Sequence, residues 1–224
     1  ILPATKTINL LQDPRGDPLQ KRLKKGFAYS DCWVEDARLV SLTARDAAEH
    51  GADIRTRTEC TGLDRGAGHW NLHIRQNGEI KTEEARVLVN AAGPWVDPVT
   101  SLYDRSSNAA KLRLVKGSHI VVKRKYEGDH SYIFQNRDGR IIFAIPYEGD
   151  HTLIGTTDEP WSYAEGPARI STGEIAYLCE AASEYFETPV TPDDIEWTYS
   201  GVRPLFDDHS RSAATVTRDF VFDY

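Results

Sequence analysis

From about residue 110 onward the chain is a series of short strand-forming runs broken by a single helical period. No other feature constrains its fold as much. The runs are Gly117–Lys123, Ser131–Gln135, Arg140–Pro146, Thr152–Thr156, Ile195–Ser200 and Val216–Phe222. Runs this close together predict a large, mostly antiparallel sheet. Between Thr172 and Glu187, the residues Ile175, Leu178, Cys179, Ala182, Tyr185 and Phe186 recur at i, i+3, i+4 and i+7. That period predicts one amphipathic helix backing the sheet, ended by Thr188 and Pro189. Asn136 to Gly139 reads as a hairpin turn.

The first half is organised differently. Residues 1–30 carry Pro3, Pro14, Gly16 and Pro18 among polar residues, which predicts an irregular surface segment. Residues 36–50 predict a helix with Asp36 as its N-cap, Gly51 just past its end, and an apolar face of Val40, Ala44, Ala47 and Ala48. Strand candidates follow at Asp53–Glu59, His69–Gln76, Glu79–Thr82 and Arg86–Asn90, with a hairpin signal at Asn77-Gly78. Val87, Leu88 and Val89 read as a strand buried on both faces. The run then passes into Ala91, Ala92, Gly93, Pro94 and Trp95, small residues that permit close approach of backbone to a ligand. These signals divide the chain into 1–30, 31–108 and 109–224, with a polar, patternless boundary near 104–111.

Net charge is −7, which argues against a nucleic-acid partner, since that needs a basic face. A local basic pocket for a small anion is compatible with it. The three cysteines, Cys32, Cys60 and Cys179, form no C-x-x-C pair. No disulfide scaffold or metal site is expected, and a reducing compartment fits best. No apolar run approaches membrane-spanning length. The chain contains no methionine and begins Ile1-Leu2-Pro3, so it reads as a piece of a longer protein.

Three residues stand out as chemical candidates. Arg203 lies between Val202 and Pro204 at the end of a strand-forming run, and Arg218 lies in a second such run. Arginine presents a rigid fork of donors that matches phosphate or carboxylate and keeps its charge at any working pH. His119 opens an apolar strand after Gly117, where a neutral imidazole could take a proton near neutral pH. Leu153 to Asp158 ends another strand in small hydroxyl residues, with Asp158 available to orient a loop. Gly66-Ala67-Gly68 lacks a third glycine and leads into a strand, so it reads as a turn and not a dinucleotide loop.

Taken in order, Phe27 to Leu39, Arg86 to Asp97, Lys116 to Val122, Leu153 to Asp158 and Trp197 to Leu205 resemble the FAD-dependent, quinone-linked (aerobic) glycerol-3-phosphate dehydrogenase family. The resemblance runs from about residue 25 to the end. It implies a D-amino-acid-oxidase-like α/β and α+β fold. Residues 31–108 would be part of an FAD-binding domain, and residues 109–224 a mostly antiparallel substrate-binding sheet domain. It implies oxidation of sn-glycerol 3-phosphate to dihydroxyacetone phosphate by hydride transfer from C2 to FAD, with electrons passing to the quinone pool. FAD contacts map onto Ala91, Ala92, Gly93 and Trp95, with an adenine contact near Cys60. Substrate handling maps onto His119, Arg203 and Arg218. The residue types leave open whether His119 or Arg203 handles the proton: imidazole is the better base by pKa, and arginine serves as a donor to the developing alkoxide.

The resemblance further implies a cytoplasmic protein, peripheral to the inner face of the cell membrane in its full-length form, with a homodimer admitted. The glycines that hold the FAD pyrophosphate are expected before Ile1, and a further flavin-site segment after Tyr224. The piece alone is therefore expected to be inactive. Two other readings remain. One is a relative that oxidises glycerol 3-phosphate with oxygen, or an amino acid. The other is a non-catalytic anion-binding domain, which would use the arginines without His119.

Overall fold

A computed structural model of the chain describes residues 2–104 and 112–206. The described residues group into two compact units, one within Ile1–Tyr29 and Lys111–Tyr224, the other within Ser30–Ala110.

The first unit opens with strands β1 (Lys6–Asn9) and β2 (Lys25–Ala28), paired antiparallel. Residues 1–30 were expected to be irregular, so this is a correction. Pro14, Gly16 and Pro18 lie in the link between the two strands, with Pro14–Gly16 as a short 3-10 turn. Leu10 and Leu19 from that link are buried.

In the second unit, α1 spans Asp36–Glu49 and β3 spans Thr58–Arg65. Asp36 is the first helical residue and not the cap. Glu35 holds the cap position without a side-chain bond, and Asp36 favours the helix through its charge in the first turn. None of the apolar residues of α1 is buried. The strand expected over Asp53–Glu59 begins only at Thr58, because Arg57 adopts a positive φ of 54° that an extended strand does not allow. Strands β4 (Trp70–Gln76) and β5 (Glu79–Ala85) complete a three-stranded antiparallel sheet. They join through Asn77 and Gly78, both at positive φ, as a two-residue hairpin requires.

The expected strand at Arg86–Asn90 does not form. Val87 and Val89 are 74% and 79% exposed, and no named strand of the described residues includes them. An extended apolar run becomes a strand only when a neighbour takes its backbone groups. A 3-10 turn at Gly93–Trp95 and the short helix α2 (Val96–Thr100) follow.

The main sheet of the first unit is built on β6 (Leu112–Lys123). The strands β7 (Tyr132–Gln135), β8 (Ile141–Tyr147), β9 (His151–Gly155) and β10 (Glu159–Pro160) follow in chain order. After them come α3 (Thr172–Ser183) and β11 (Ile195–Phe206). Every pairing is antiparallel. One edge of β6 takes β11 along nearly its whole length, while the other takes β10 and then β9, with β8 and β7 beyond. That shared length explains why β6 and β11 run past the expected Gly117–Lys123 and Ile195–Ser200. The expected strand Val216–Phe222 lies outside the described residues.

Because side chains alternate across a strand, the sheet has two distinct faces. Ile120, Val122, Ile142, Ala144 and Ile154 pack under α3, against Leu178, Cys179, Ala181 and Ala182. The helix stops at Ser183, short of the expected Glu187. Ser183 Oγ there donates to Cys179 O and accepts from Val190 N. Tyr185 and Phe186 still reach the core, where Phe186 bridges to Leu19. The opposite face of the sheet carries His119 and Arg203.

Candidate active site

His119 sits near the middle of β6, directly opposite Tyr199 on β11 and Gly155 on β9. Its ring stacks on that of Tyr199, with 4.7 Å between centroids and 12° between planes. On its other side lies Gly155. A Cβ there would stand 2.3 Å from His119 Cδ2, so only glycine lets the ring lie flat. Among the described residues, His119 Nδ1 is buried without a hydrogen-bond partner. Burial first, and then the charge of Arg203, lower the imidazole pKa to about 4. His119 is therefore neutral near pH 7 and able to accept a proton.

Arg203 belongs to the same face, two register steps along β11 from the Gly117–Gly201 pair. Its Nη1 donates to Asp158 Oδ1 at 2.6 Å, and its Nη2 donates to Thr156 Oγ1 at 3.0 Å and Thr157 O at 3.3 Å. The guanidinium crosses Gly117 so closely that a Cβ there would lie 2.2 Å from Nη2. Arginine has five N–H donors, and these contacts fix its plane while leaving donors for a second anion. Asp158 compensates the charge at rest. A bound dianion would complete a salt-bridge network around Arg203.

Beneath this face the same backbone segments turn their alternate side chains inward. Ser118 and Thr157 are fully buried, and both donate to Glu174 Oε1 at 2.7 Å. Lys116 Nζ lies 3.0 Å from Glu174 Oε2.

The structure brings His119 and Arg203 together on one face. Arg218 lies outside the described residues. In the other unit, Cys60 lies half-buried on β3 at a bulge, its thiol toward Gly62 O. Ala91, Ala92, Gly93 and Trp95 form the turn before α2. The Asn90 side chain pins that turn, donating to Val96 O at 2.9 Å and accepting from Ala92 N at 3.3 Å. Gly93 has φ +55° and open space where a Cβ would stand. The turn thus offers an exposed, preformed backbone that a flat cofactor could approach.

Sequence reasoning singled out the hydroxyl-rich strand end at Leu153 to Asp158 but missed Tyr199, Glu174 and the contacts of Thr156 and Asp158 with Arg203. The glycines carried a further signal: Gly117 and Gly155 in strands mark close approach of other groups.

A glycine-floored sheet face thus carries an imidazole beside an anchored guanidinium, and comparison with known proteins gives the class of the chain. It matches the family of FAD-dependent oxidoreductases over residues 5–223, and the chain belongs to that family. It is 46% identical over 224 residues to D-erythritol 1-phosphate dehydrogenase of Brucella abortus, covering 99% of this chain and 45% of that protein. It is 45% identical over 204 residues to glycerol-3-phosphate dehydrogenase of Pseudomonas aeruginosa, covering 91% and 40%. It is 42% identical over 207 residues to aerobic glycerol-3-phosphate dehydrogenase of Escherichia coli, covering 92% and 41%. The chain thus spans less than half the length of each of these relatives.

Among solved structures, it is similar to the glycerol-3-phosphate dehydrogenase of Bacillus halodurans complexed with FAD. The TM-score is 0.76 at 32% identity, over 91% of this chain and 42% of that one. The L-alpha-glycerophosphate oxidase of Mycoplasma pneumoniae shares the fold, with a TM-score of 0.72 at 17% identity over 91% and 54%. The mixed fold with antiparallel sheets is thus that of FAD flavoproteins, as the motifs implied.

Proposed function

We propose that the protein containing this chain oxidises sn-glycerol 3-phosphate to dihydroxyacetone phosphate, passing the electrons on to quinone. The observation that carries the reading is the presence of a neutral imidazole, His119, and the anchored guanidinium of Arg203 on one sheet face. The names of the relatives in Pseudomonas aeruginosa and Escherichia coli supply the substrate. When bound, FAD supplies the acceptor for the hydride that leaves C2. Ala91, Ala92, Gly93 and Trp95 fit the approach of such a cofactor through their exposed turn, and Cys60 is the proposed contact on the adenine side.

The remaining chemistry falls to this chain's own side chains. Arg203 binds the anionic substrate and, with donors directed at the C2 oxygen, stabilises negative charge as it develops there. Arg218 is proposed as a second arm of the phosphate clamp. His119 takes the hydroxyl proton on an imidazole nitrogen as C2 loses hydride, leaving the ketone. An imidazole with a pKa near 4 is a weak base. The arriving phosphate dianion offsets the field of Arg203, the second cause of that low pKa after burial, and so favours proton uptake by His119.

The similarity to D-erythritol 1-phosphate dehydrogenase across 99% of this chain supports a second reading, a four-carbon polyol phosphate as substrate. Steady-state kinetics of the flavin-loaded protein with both substrates decide between them, since the preferred one shows the higher kcat/KM. Loss of turnover in Arg203→Ala and His119→Gln supports the site. Full turnover in both variants overturns it.

A further inference from the structure

The inward face of the site converges on one buried carboxylate. Glu174 is 4% exposed, and each of its oxygens takes two donors. Oε1 accepts from Ser118 Oγ and Thr157 Oγ1, both at 2.7 Å. Oε2 accepts from Ser171 N at 2.7 Å and from Lys116 Nζ at 3.0 Å. Burial alone would raise the carboxyl pKa. The bonds from Ser171, Ser118, Thr157 and Lys116 outweigh it and hold the pKa at about 2. Ser200 on β11 joins through its hydroxyl, 2.8 Å from Ser118 Oγ. Thr157 Oγ1 in turn accepts from Ser118 N at 2.9 Å.

The donors to Glu174 alternate with the residues of the site. On β6, Lys116 and Ser118 point to Glu174, while Gly117 and His119 face Arg203 and Tyr199. In the segment after β9, Thr157 points to Glu174, while Thr156 and Asp158 hold Arg203. On β6 the period-two alternation ties the two sets together, and after β9 they occupy consecutive residues, so a shift of either backbone moves both. An N-terminal capping box for α3 would need only Ser171 and an exposed Glu174. A buried ion pair adds little stability over an apolar pair of the same volume. Neither role accounts for the two hydroxyls and two sheet segments gathered on one oxygen.

We propose that Glu174 is a positioning residue: through Ser118 and Thr157 it fixes the backbone that presents His119 and the Thr156–Asp158 seat of Arg203 to the substrate. The inference rests on the proposed oxidation of a polyol phosphate. Glu174 holds β6 and the segment after β9 together, and its own charge takes no part in the reaction.

Three variants of the flavin-loaded protein separate positioning from charge pairing. Glu174→Gln keeps an acceptor oxygen for both hydroxyls but leaves Lys116 uncompensated. The double variant Glu174→Met with Lys116→Met removes both charges and the acceptor. Thr157→Val removes one hydroxyl at nearly constant volume. Positioning is expected to leave Glu174→Gln the most active of the three. The double variant gives up the hydrogen bonds that Ser118 and Thr157 make to Glu174 and is expected to melt lower. At a temperature where it is folded and keeps its flavin, it should lose about a hundredfold in kcat, the scale set by small misplacements of catalytic groups. Thr157→Val should lie between. The His119 ring resonances, shifted by the Tyr199 ring, are expected to move toward unstacked values in the double variant. Unsubstituted turnover and unshifted His119 resonances in the folded double variant overturn the inference. If the unsubstituted protein itself oxidises no polyol phosphate, the proposed function fails, and the inference falls with it for that separate reason.

Discussion

The imidazole of His119 and the phenol ring of Tyr199 lie stacked, 4.7 Å apart and 12° from parallel, on neighbouring strands. Tyr199 shields one side of the imidazole and Gly155 the other, so the environment that lowers the His119 pKa is built from the sheet itself. Tyr199→Ala opens that side and is expected to raise the His119 pKa from about 4 toward its ordinary value. Tyr199→Phe keeps the ring and should change it little. NMR titration of the imidazole reads both.

Gly117→Ala separates function from stability. The new methyl would meet the end of the Arg203 side chain at 2.2 Å and Thr156 Oγ1 at 2.6 Å. A flexible side chain can swing away at small cost in folding, but the guanidinium leaves its seat. Turnover is expected to fall by about a hundredfold, with melting temperature nearly unchanged. Gly155→Ala should cost stability as well, because its methyl meets the body of the His119 ring and not a flexible end.

Asp158→Asn removes the carboxylate that orients Arg203. The pair is about a third exposed, so the loss of stability is expected to be at most about 1 kcal/mol. Its effect on kcat/KM should be much larger, because the guanidinium plane is no longer fixed. An unchanged kcat/KM would show that Thr156 and Thr157 suffice to hold it.

Two groups at the site contribute to acid sensitivity. His119 has a folded pKa of about 4 against 6.5 for the ordinary side chain, so below 6.5 the unfolded chain binds more protons. Stability is therefore expected to fall as pH drops from 6.5 to 4, by up to about 1.4 kcal/mol per pH unit. Glu174, held at about 2 against 4.5, adds a second loss as pH falls from 4.5 toward 2. Chemical denaturation across this range should show both. His119→Phe should reduce the loss in the upper part and leave the lower part unchanged, with His130, whose pKa burial also lowers, supplying the remainder.

Much of this was legible in the sequence, for physical reasons that differ by element. Helix α3 was visible because its apolar period matches its burial under the sheet. The Asn77-Gly78 hairpin was visible because few residue pairs tolerate those backbone angles. Val87 to Val89 misled because an apolar run reports a tendency to pair, and pairing needs a partner backbone. The lengths of β6 and β11 were underestimated because their ends are stabilised by each other, a long-range fact absent from local composition. His119 stood out through its place after Gly117 at the start of an apolar strand, and Arg203 through its donor fork at a strand end. Glu174 did not, since an N3 glutamate after Ser171 reads as an ordinary capping box, and only the folded sheet brings Ser118 and Thr157 to it.

The most direct test of the proposed function is anaerobic mixing of the flavin-loaded protein with sn-glycerol 3-phosphate while flavin absorbance is followed. Bleaching of the oxidised flavin in the unsubstituted protein, slowed at least about a hundredfold in His119→Gln and Arg203→Ala, is the expected result. Unbleached flavin with both glycerol 3-phosphate and D-erythritol 1-phosphate, or equal bleaching in all three proteins, would contradict it.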